Sequence, residues 1–245
     1  MRNIKLILEY DGTFYHGWQK QPGLLTIQEV IERNLCSLLK EEIKVSAAGR
    51  TDAGVHAKGQ AINFITSTSI SPCAIRRALN SYLPKDIRVK KAEIVPLDFD
   101  ARKSALSRLY RYTICNSAFQ PPFYCNFTWH IPFLLEINKM SKASRLLIGR
   151  HDFSSFQSQG SPTFSSMREI EKSVLFKKGR FIIVYIKADS FLYKMVRNII
   201  GTLVEVGRGK ISLPEINSIL EAKNRRVAGP TAPPQGLCLV RVKYK

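Results

Sequence analysis

The chain has 245 residues with 44% hydrophobic content, enough for one large domain or two subdomains of roughly 100–120 residues each, and this composition excludes a disordered protein. Lysine and arginine outnumber aspartate and glutamate 38 to 19, a formal charge of +19 with a pI near 9.9. Such an excess is costly in self-repulsion unless an anionic partner offsets it, and nucleic acid is the partner this balance favours.

Ile4–Tyr10 reads as a strand ended by Asp11-Gly12, and Thr26–Lys40 as a helix with Ile27, Val30, Ile31, Leu35, Leu38 and Leu39 at helical spacing. Two strands, Ile43–Ala48 and Gln60–Thr66, flank the stretch GRTDAGVHA, Gly49–Ala57. A helix over Pro72–Leu83 and a strand over Ile87–Val95 complete a β-α-β-β-α-β half, the ferredoxin-like order. The order then repeats: strand Leu109–Cys115, helix Ile137–Ile148, strands around Leu175 and at Phe181–Ala188, helix Phe191–Val206, strand Leu237–Tyr244. A further helix at Leu213–Glu221 and the loop Gly229–Pro234 interrupt the repeat, and the aromatic, proline-rich stretch Phe119–Pro132 reads as an ordered insertion. The expected fold class is therefore α+β, with two ferredoxin-like subdomains, 1–105 and 106–245, side by side in one wide antiparallel sheet with a central cleft.

Several chemistries find no support. The cysteines, Cys36, Cys73, Cys115, Cys125 and Cys238, are odd in number and form no C-x-x-C pair, so they read as reduced residues. No apolar run approaches the roughly 20 residues that span a bilayer, and the expectation is a soluble, cytoplasmic protein without a membrane partner. Neither G-x-x-x-x-G-K-[ST] nor G-x-G-x-x-G occurs, so no nucleotide cofactor is expected. The histidines, His16, His56, His130 and His151, lack metal-ligand spacing and read as structural.

Three segments could carry chemistry. In GRTDAGVHA the small residues Gly49, Ala53, Gly54 and Ala57 leave room for a ligand to approach the backbone, with Arg50 and Asp52 held between two buried strands. A lone T-D-A-G would ordinarily be turn chemistry, yet a single carboxylate can also act as a nucleophile, given a cation that favours its anion. In the helix Phe191–Val206, Arg197 lies within an apolar stripe, and spacing alone sends it to the surface on its aliphatic stem. In SRLYRYTI, Ser107–Ile114, Leu109, Arg111 and Thr113 alternate with Tyr110, Tyr112 and Ile114 on opposite strand faces, a pattern suited to base stacking and phosphate contact or simply to a tyrosine-rich core strand. Between Arg76 and Arg111 there are ten basic residues against four acidic ones, a candidate phosphate track. Lys223, Arg225 and Arg226 either extend it or are solvated loop charges.

Eight segments in one order, YHGWQKQPGLLTIQEVIE (Tyr15–Glu32), GRTDAGVHA, LNSYLP (Leu79–Pro84), FDARKSA (Phe99–Ala105), SRLYRYTI, GRHDFSSF (Gly149–Phe156), FLYKMVRNIIGTLVEVGRG (Phe191–Gly209) and GPTAPPQGLCLVRVKY (Gly229–Tyr244), closely resemble the TruA family of tRNA pseudouridine synthases. The resemblance covers nearly the whole chain. It implies the pseudouridine synthase fold with a basic cleft and an isomerase acting on uridines 38, 39 and 40 of the tRNA anticodon stem-loop. It further implies that Asp52 is the nucleophile, Arg50 helps extrude the nucleotide, Tyr110 stacks on the flipped uracil and Arg197 pairs with Asp52, against the surface placement that spacing favours. Leu237 would pack near the base, while Phe99, Arg102 and Lys103 and the loop Gln157–Gly160 would contact tRNA. A homodimer cradling one tRNA, with no cofactor and no metal, is also implied. Loss of Asp52 or Tyr110 would instead have marked a non-catalytic RNA-binding or RNA-chaperone protein, and both are present.

Overall fold

The computed structural model describes residues 1–160 and 165–245. In chain order its elements are β1 (Arg2–Tyr10), α1 (Ile27–Leu39), β2 (Ser46–Ala47), β3 (His56–Thr66), α2 (Pro72–Tyr82), β4 (Ile87–Val95), β5 (Ser107–Asn116), β6 (Trp129–Ile131), α3 (Ile137–Leu146), β7 (Gly149–Asp152), β8 (Met167–Lys178), β9 (Phe181–Ala188), α4 (Met195–Gly207), α5 (Leu213–Ala222) and β10 (Leu237–Lys243). The chain divides into two compact units, one made of Met1–Leu106 with Cys238–Lys245 and one of Ser107–Leu237. The class is α+β, as the sequence implies.

In the first unit β1 is the middle strand, antiparallel to β3 on one side and to β4 on the other, with Leu6 opposite Ile62 and Ala92. Its strict alternation turns Ile4, Leu6, Leu8 and Tyr10 inward. The remaining edge of β3 is shared: β2 pairs antiparallel at Asn63 and Ile62, and β10 pairs parallel at His56 and Ala57. The expected strand Ile43–Ala48 is only two residues long, although the Ala48 N–H still donates to the Ala61 carbonyl of β3 at 2.9 Å.

Both helices of this unit follow their local signals. Thr26 Oγ1 accepts the Glu29 N–H at the start of α1, which buries Ile27, Val30, Ile31, Leu35 and Leu39. Ser71 caps α2 in the same way, accepting from the Ala74 N–H with Pro72 in the first turn.

The second unit orders its strands β5-β9-β8-β7, all antiparallel, with β6 added parallel to β5. Along the chain the order β5-α3-β8-β9-α4-β10 recurs, with β6, β7 and α5 inserted, but β10 beyond Leu237 belongs to the first unit and not to a 106–245 subdomain. Helix α4 is the core element: Ile199, Ile200, Leu203 and Val204 are each at most 1% exposed, and burying such side chains contributes on the order of 1.5–3 kcal/mol apiece. It begins four residues later than its apolar stripe suggests. Lys194 has a left-handed backbone, φ 57°, which stops Phe191–Lys194 from joining the helix although Leu192 is buried with it.

Among the described residues no helix is long and apolar enough to cross a membrane. The five cysteines are free thiols.

Candidate active site

In the first unit the segment Gly49–Ala57 leads from β2 into β3. Its turn is closed by the Val55 N–H donating to the Asp52 carbonyl at 3.1 Å, with Gly54 at φ 75°. Arg50 is exposed and Asp52 half-buried. At one end the Gln60 side-chain amide donates to the Gly49 carbonyl at 2.6 Å.

The segment is seated against residues 10–18. The Trp18 N–H donates to the Thr51 carbonyl at 2.9 Å, the Gly54 N–H to the Tyr15 carbonyl at 3.3 Å, and the Tyr10 and Thr51 hydroxyls lie 2.8 Å apart. The approach is so close that a Cβ on Gly12 would lie 2.1 Å from the Val55 carbonyl oxygen. Gly12 N–H also donates to His56 Nδ1 at 3.0 Å, and Asp11 Oδ1 lies 3.1 Å from the same nitrogen. His56 is therefore a fastening of the turn, as its lack of metal spacing suggested.

Tyr15 anchors the seat from below, donating its hydroxyl to Asp86 at 2.7 Å. Burial, then the Asp86 hydrogen bond and charge, push the Tyr15 hydroxyl well above the usual tyrosine range, so it stays a donor.

The same unit carries the segment Phe99–Lys103. The Phe99 ring packs 5.0 Å from Tyr244, and Lys5 Nζ lies over both rings, at 5.4 and 4.8 Å. Asp100 caps the turn: its Oδ1 accepts the Arg102 and Lys103 N–H groups at 2.9 and 2.8 Å, and its Oδ2 accepts the Ser46 hydroxyl. Burial opposes ionisation there, but these hydrogen bonds and the Lys103 charge win, holding the Asp100 carboxyl below its usual range. The turn leaves Arg102 and Lys103 exposed.

Much of the remaining basic track is already engaged. Arg76 and Arg88 donate to backbone carbonyls, and Lys90 and Lys91 pair with Glu9 and Glu93.

In the second unit Tyr110 is 9% exposed, on the buried face of β5, and meets the Phe191 ring edge-on at 5.2 Å. Two residues on, the buried Tyr112 hydroxyl donates to the Pro233 carbonyl at 2.7 Å. Arg197 on α4 is half-buried and donates its Nε–H to the Ala232 carbonyl at 2.7 Å. It is held to the loop 229–234, contrary to the surface placement that helical spacing favours. Leu237, 6% exposed, follows that loop at the start of β10.

Arg225 is no solvated loop charge. It is half-buried and donates to Ala228 O, Asn198 Oδ1 and Thr231 Oγ1 at 3.1–3.2 Å, and burial lowers its pKa.

Arg50, Asp52, Phe99, Arg102 and Lys103 thus belong to the first unit, Tyr110, Arg197 and Leu237 to the second. Tyr10, Thr51 and Asn198 were not singled out from the sequence. For Tyr10 and Asn198 a polar group inside an apolar strand or helix was the available signal, since buried polar groups need partners, whereas Thr51 sits in the turn itself and carried none. Among the described residues no group of histidine, cysteine or acidic side chains could hold a metal ion.

The sequence profile of one family, described as tRNA pseudouridine synthase, matches residues 6–102 and 143–245. The chain belongs to this family. Relatives named tRNA pseudouridine synthase A extend the similarity to full length: that of Thermoanaerobacter sp. (strain X514) is 47% identical over 244 residues, covering 100% of both chains. Those of Acetivibrio thermocellus and Syntrophotalea carbinolica are 46% and 41% identical, each over 100% of this chain and 100% and 97% of their own. The family is one of uridine isomerases, and this chain is an enzyme of that class. The Asp52 turn and Phe99–Arg102 fall in the first matched stretch, Arg197 and Leu237 in the second. Tyr110 and Lys103 lie between the two stretches and are covered by the full-length relatives.

Proposed function

We propose that this enzyme converts uridine to pseudouridine at positions 38, 39 and 40 of the tRNA anticodon stem-loop, as a cytoplasmic homodimer whose two copies cradle one tRNA. The observation that carries this reading is the full-length similarity to relatives named tRNA pseudouridine synthase A, joined to a carboxylate, Asp52, in a turn seated on the backbone of residues 12–18.

The reaction breaks the N1–C1′ glycosidic bond, rotates the uracil and joins C5 to C1′. The C5 proton is lost and N1 regains one, so mass and oxidation state are unchanged and no cofactor is required. Asp52 forms the transient covalent bond, to C6 of the base or to C1′ of the sugar. The target must first leave the stack, at a cost of a few kcal/mol. Arg50, exposed beside Asp52, fills the space that the nucleotide vacates. Tyr110 stacks on the flipped base, Arg197 supplies the cation that favours the Asp52 anion, and Leu237 packs beside the uracil. Phe99, Arg102 and Lys103 belong to the tRNA contact, with the exposed Arg102 and Lys103 reaching phosphates.

Mapping pseudouridines in tRNA by chemical adduct and primer extension tests this. Asp52→Ala should lower product formation by at least about 10³-fold while tRNA binding persists. Product from that variant at the wild-type rate would remove Asp52 as the nucleophile.

A further inference from the structure

The Asp52 turn is short and built of small residues, so its own sequence leaves the carboxylate's direction open. What holds it is found in the first unit, some 40 residues upstream. Tyr10 ends β1 with Ala57 opposite it on β3 and Ile87 on β4, so its root is fixed from both sides. The ring lies 6.3 Å from that of Trp18. Its hydroxyl is 2.8 Å from Thr51 Oγ1, and the two residues are only 3% and 6% exposed.

Thr51 is gripped by its main chain too, its carbonyl accepting from the Trp18 N–H at 2.9 Å. At the same carbonyl Gly17, at φ 87°, presses so close that a Cβ there would lie 2.7 Å from the Thr51 oxygen and 3.1 Å from the Asp52 carbonyl carbon. A β-branched residue has few χ1 rotamers, so fixing Oγ1 fixes the whole side chain and, through it, the peptide that leads into Asp52. Packing alone would bury the same atoms without choosing that rotation. The hydroxyl pair is directional.

We propose that Tyr10 and Thr51 are positioning residues: their hydroxyl pair aims the Asp52 carboxylate and makes no contact with RNA. This rests on the reading of Asp52 as the nucleophile. Misplacing a reacting group by about 1 Å costs on the order of a hundredfold in rate, whereas substrate affinity, set by contacts elsewhere, is untouched.

The test uses the full chain with Tyr10→Phe, Thr51→Val, the double variant and Thr51→Ser, each assayed well below its own Tm. Single-turnover pseudouridine formation and tRNA affinity are measured separately. Tyr10→Phe and Thr51→Val should each slow the chemical step about ten- to a hundredfold with affinity unchanged. The double variant should be no slower than the slower single one, because both remove the same bond. Thr51→Ser, which keeps the hydroxyl, should recover most of the rate.

Wild-type rates in Tyr10→Phe and Thr51→Val, whatever happens to Tm, would overturn the proposal, as would Thr51→Ser being as slow as Thr51→Val. If Tyr10→Phe does not fold, the serine and valine pair at position 51 decides alone. Wild-type and Asp52→Ala controls separate the two levels. An inactive wild type or an active Asp52→Ala defeats the reading of the site, while an active wild type, an inert Asp52→Ala and full-rate Tyr10→Phe and Thr51→Val defeat only the positioning role.

Discussion

Arg197 and Ala232 exchange hydrogen bonds: Arg197 Nε–H donates to the Ala232 carbonyl at 2.7 Å, and the Ala232 N–H donates back to the Arg197 carbonyl at 3.1 Å. One edge of the guanidinium is thereby tied to main chain. Its neighbour Asn198, fully buried, continues the tie. Its amide donates to Phe156 O at 2.8 Å, and its oxygen accepts from Thr231 Oγ1 at 2.6 Å and Arg225 at 3.1 Å. Two adjacent residues of one helix turn therefore hold both the 3-10 turn at Ser154–Phe156 and the loop before β10.

Arg197→Lys tests the first tie. Lysine is charged but has no Nε–H at that place and no planar fork, so the bond to Ala232 is lost with the charge retained. A hydrogen bond from a charged donor is worth about 1.5–3 kcal/mol, and Tm should fall by a few degrees. Pseudouridine formation should drop at least about tenfold if the direction of the guanidinium matters. Thermal scanning and single-turnover assays check the two parts, and a wild-type Tm would show that the Ala232 bond contributes little.

Local pattern made most of this architecture legible. The alternation in β1 and β5 and the stripes of α1 and α4 follow from burial on one face, and the cap residues Thr26 and Ser71 sit where their chemistry requires. Pairings between distant residues left no such trace. Nothing near Tyr10 announces Thr51, 41 positions away, and nothing near Arg225 announces Asn198. Apolar periodicity likewise ran through Phe191–Lys194, because it reports burial and is blind to the sign of φ at Lys194. The Asp52 turn was visible as a motif, but its role entered through the resemblance of the whole chain.

Close backbone packing predicts a contrast between two glycines of α4. A Cβ on Gly201 would lie 1.6 Å from the Pro230 carbonyl oxygen, and one on Gly229 would lie 2.7 Å from Thr202 Cα. Gly201→Ala must therefore push the 229–234 loop away and should cost at least about 3 kcal/mol, or prevent folding. At Gly207 the nearest atom is the thioether of Met140 at 2.7 Å, which can swing aside. Gly207→Ala should cost clearly less, as denaturant titration of the two variants will show. Equal losses would mean that the loop moves as easily as the methionine.

Lys103 supplies a prediction about binding. Its backbone is capped by Asp100 while its side chain is exposed, so Lys103→Ala should leave the turn intact. If the side chain reaches a phosphate, tRNA affinity should fall and the slope of log K against log[salt] should shrink by about 0.7–0.9. Affinity measured across a salt series checks this. An unchanged slope would place Lys103 outside the contact.

Asp152 predicts an acid limb of stability. Its Oδ1 accepts the Ser154 N–H at 3.0 Å and hydroxyl at 2.6 Å, and Lys223 lies 3.5 Å from Oδ2. Burial raises its pKa, but the hydrogen bonds from Ser154 and Ser166 and the Lys223 charge outweigh it, and the carboxyl is held down at about 2 against an ordinary 3.8. A folded pKa below the unfolded one means that the unfolded chain binds the extra proton first, so stability rises with pH across this interval. The contribution is fully present above pH 3.8 and is lost as the pH falls through about 2. Asp152→Asn should therefore be less stable than wild type near neutrality, and the gap should close between those two values. Tm measured against pH for both proteins checks it, and parallel curves through the acid range would show that the carboxylate does not stabilise this turn.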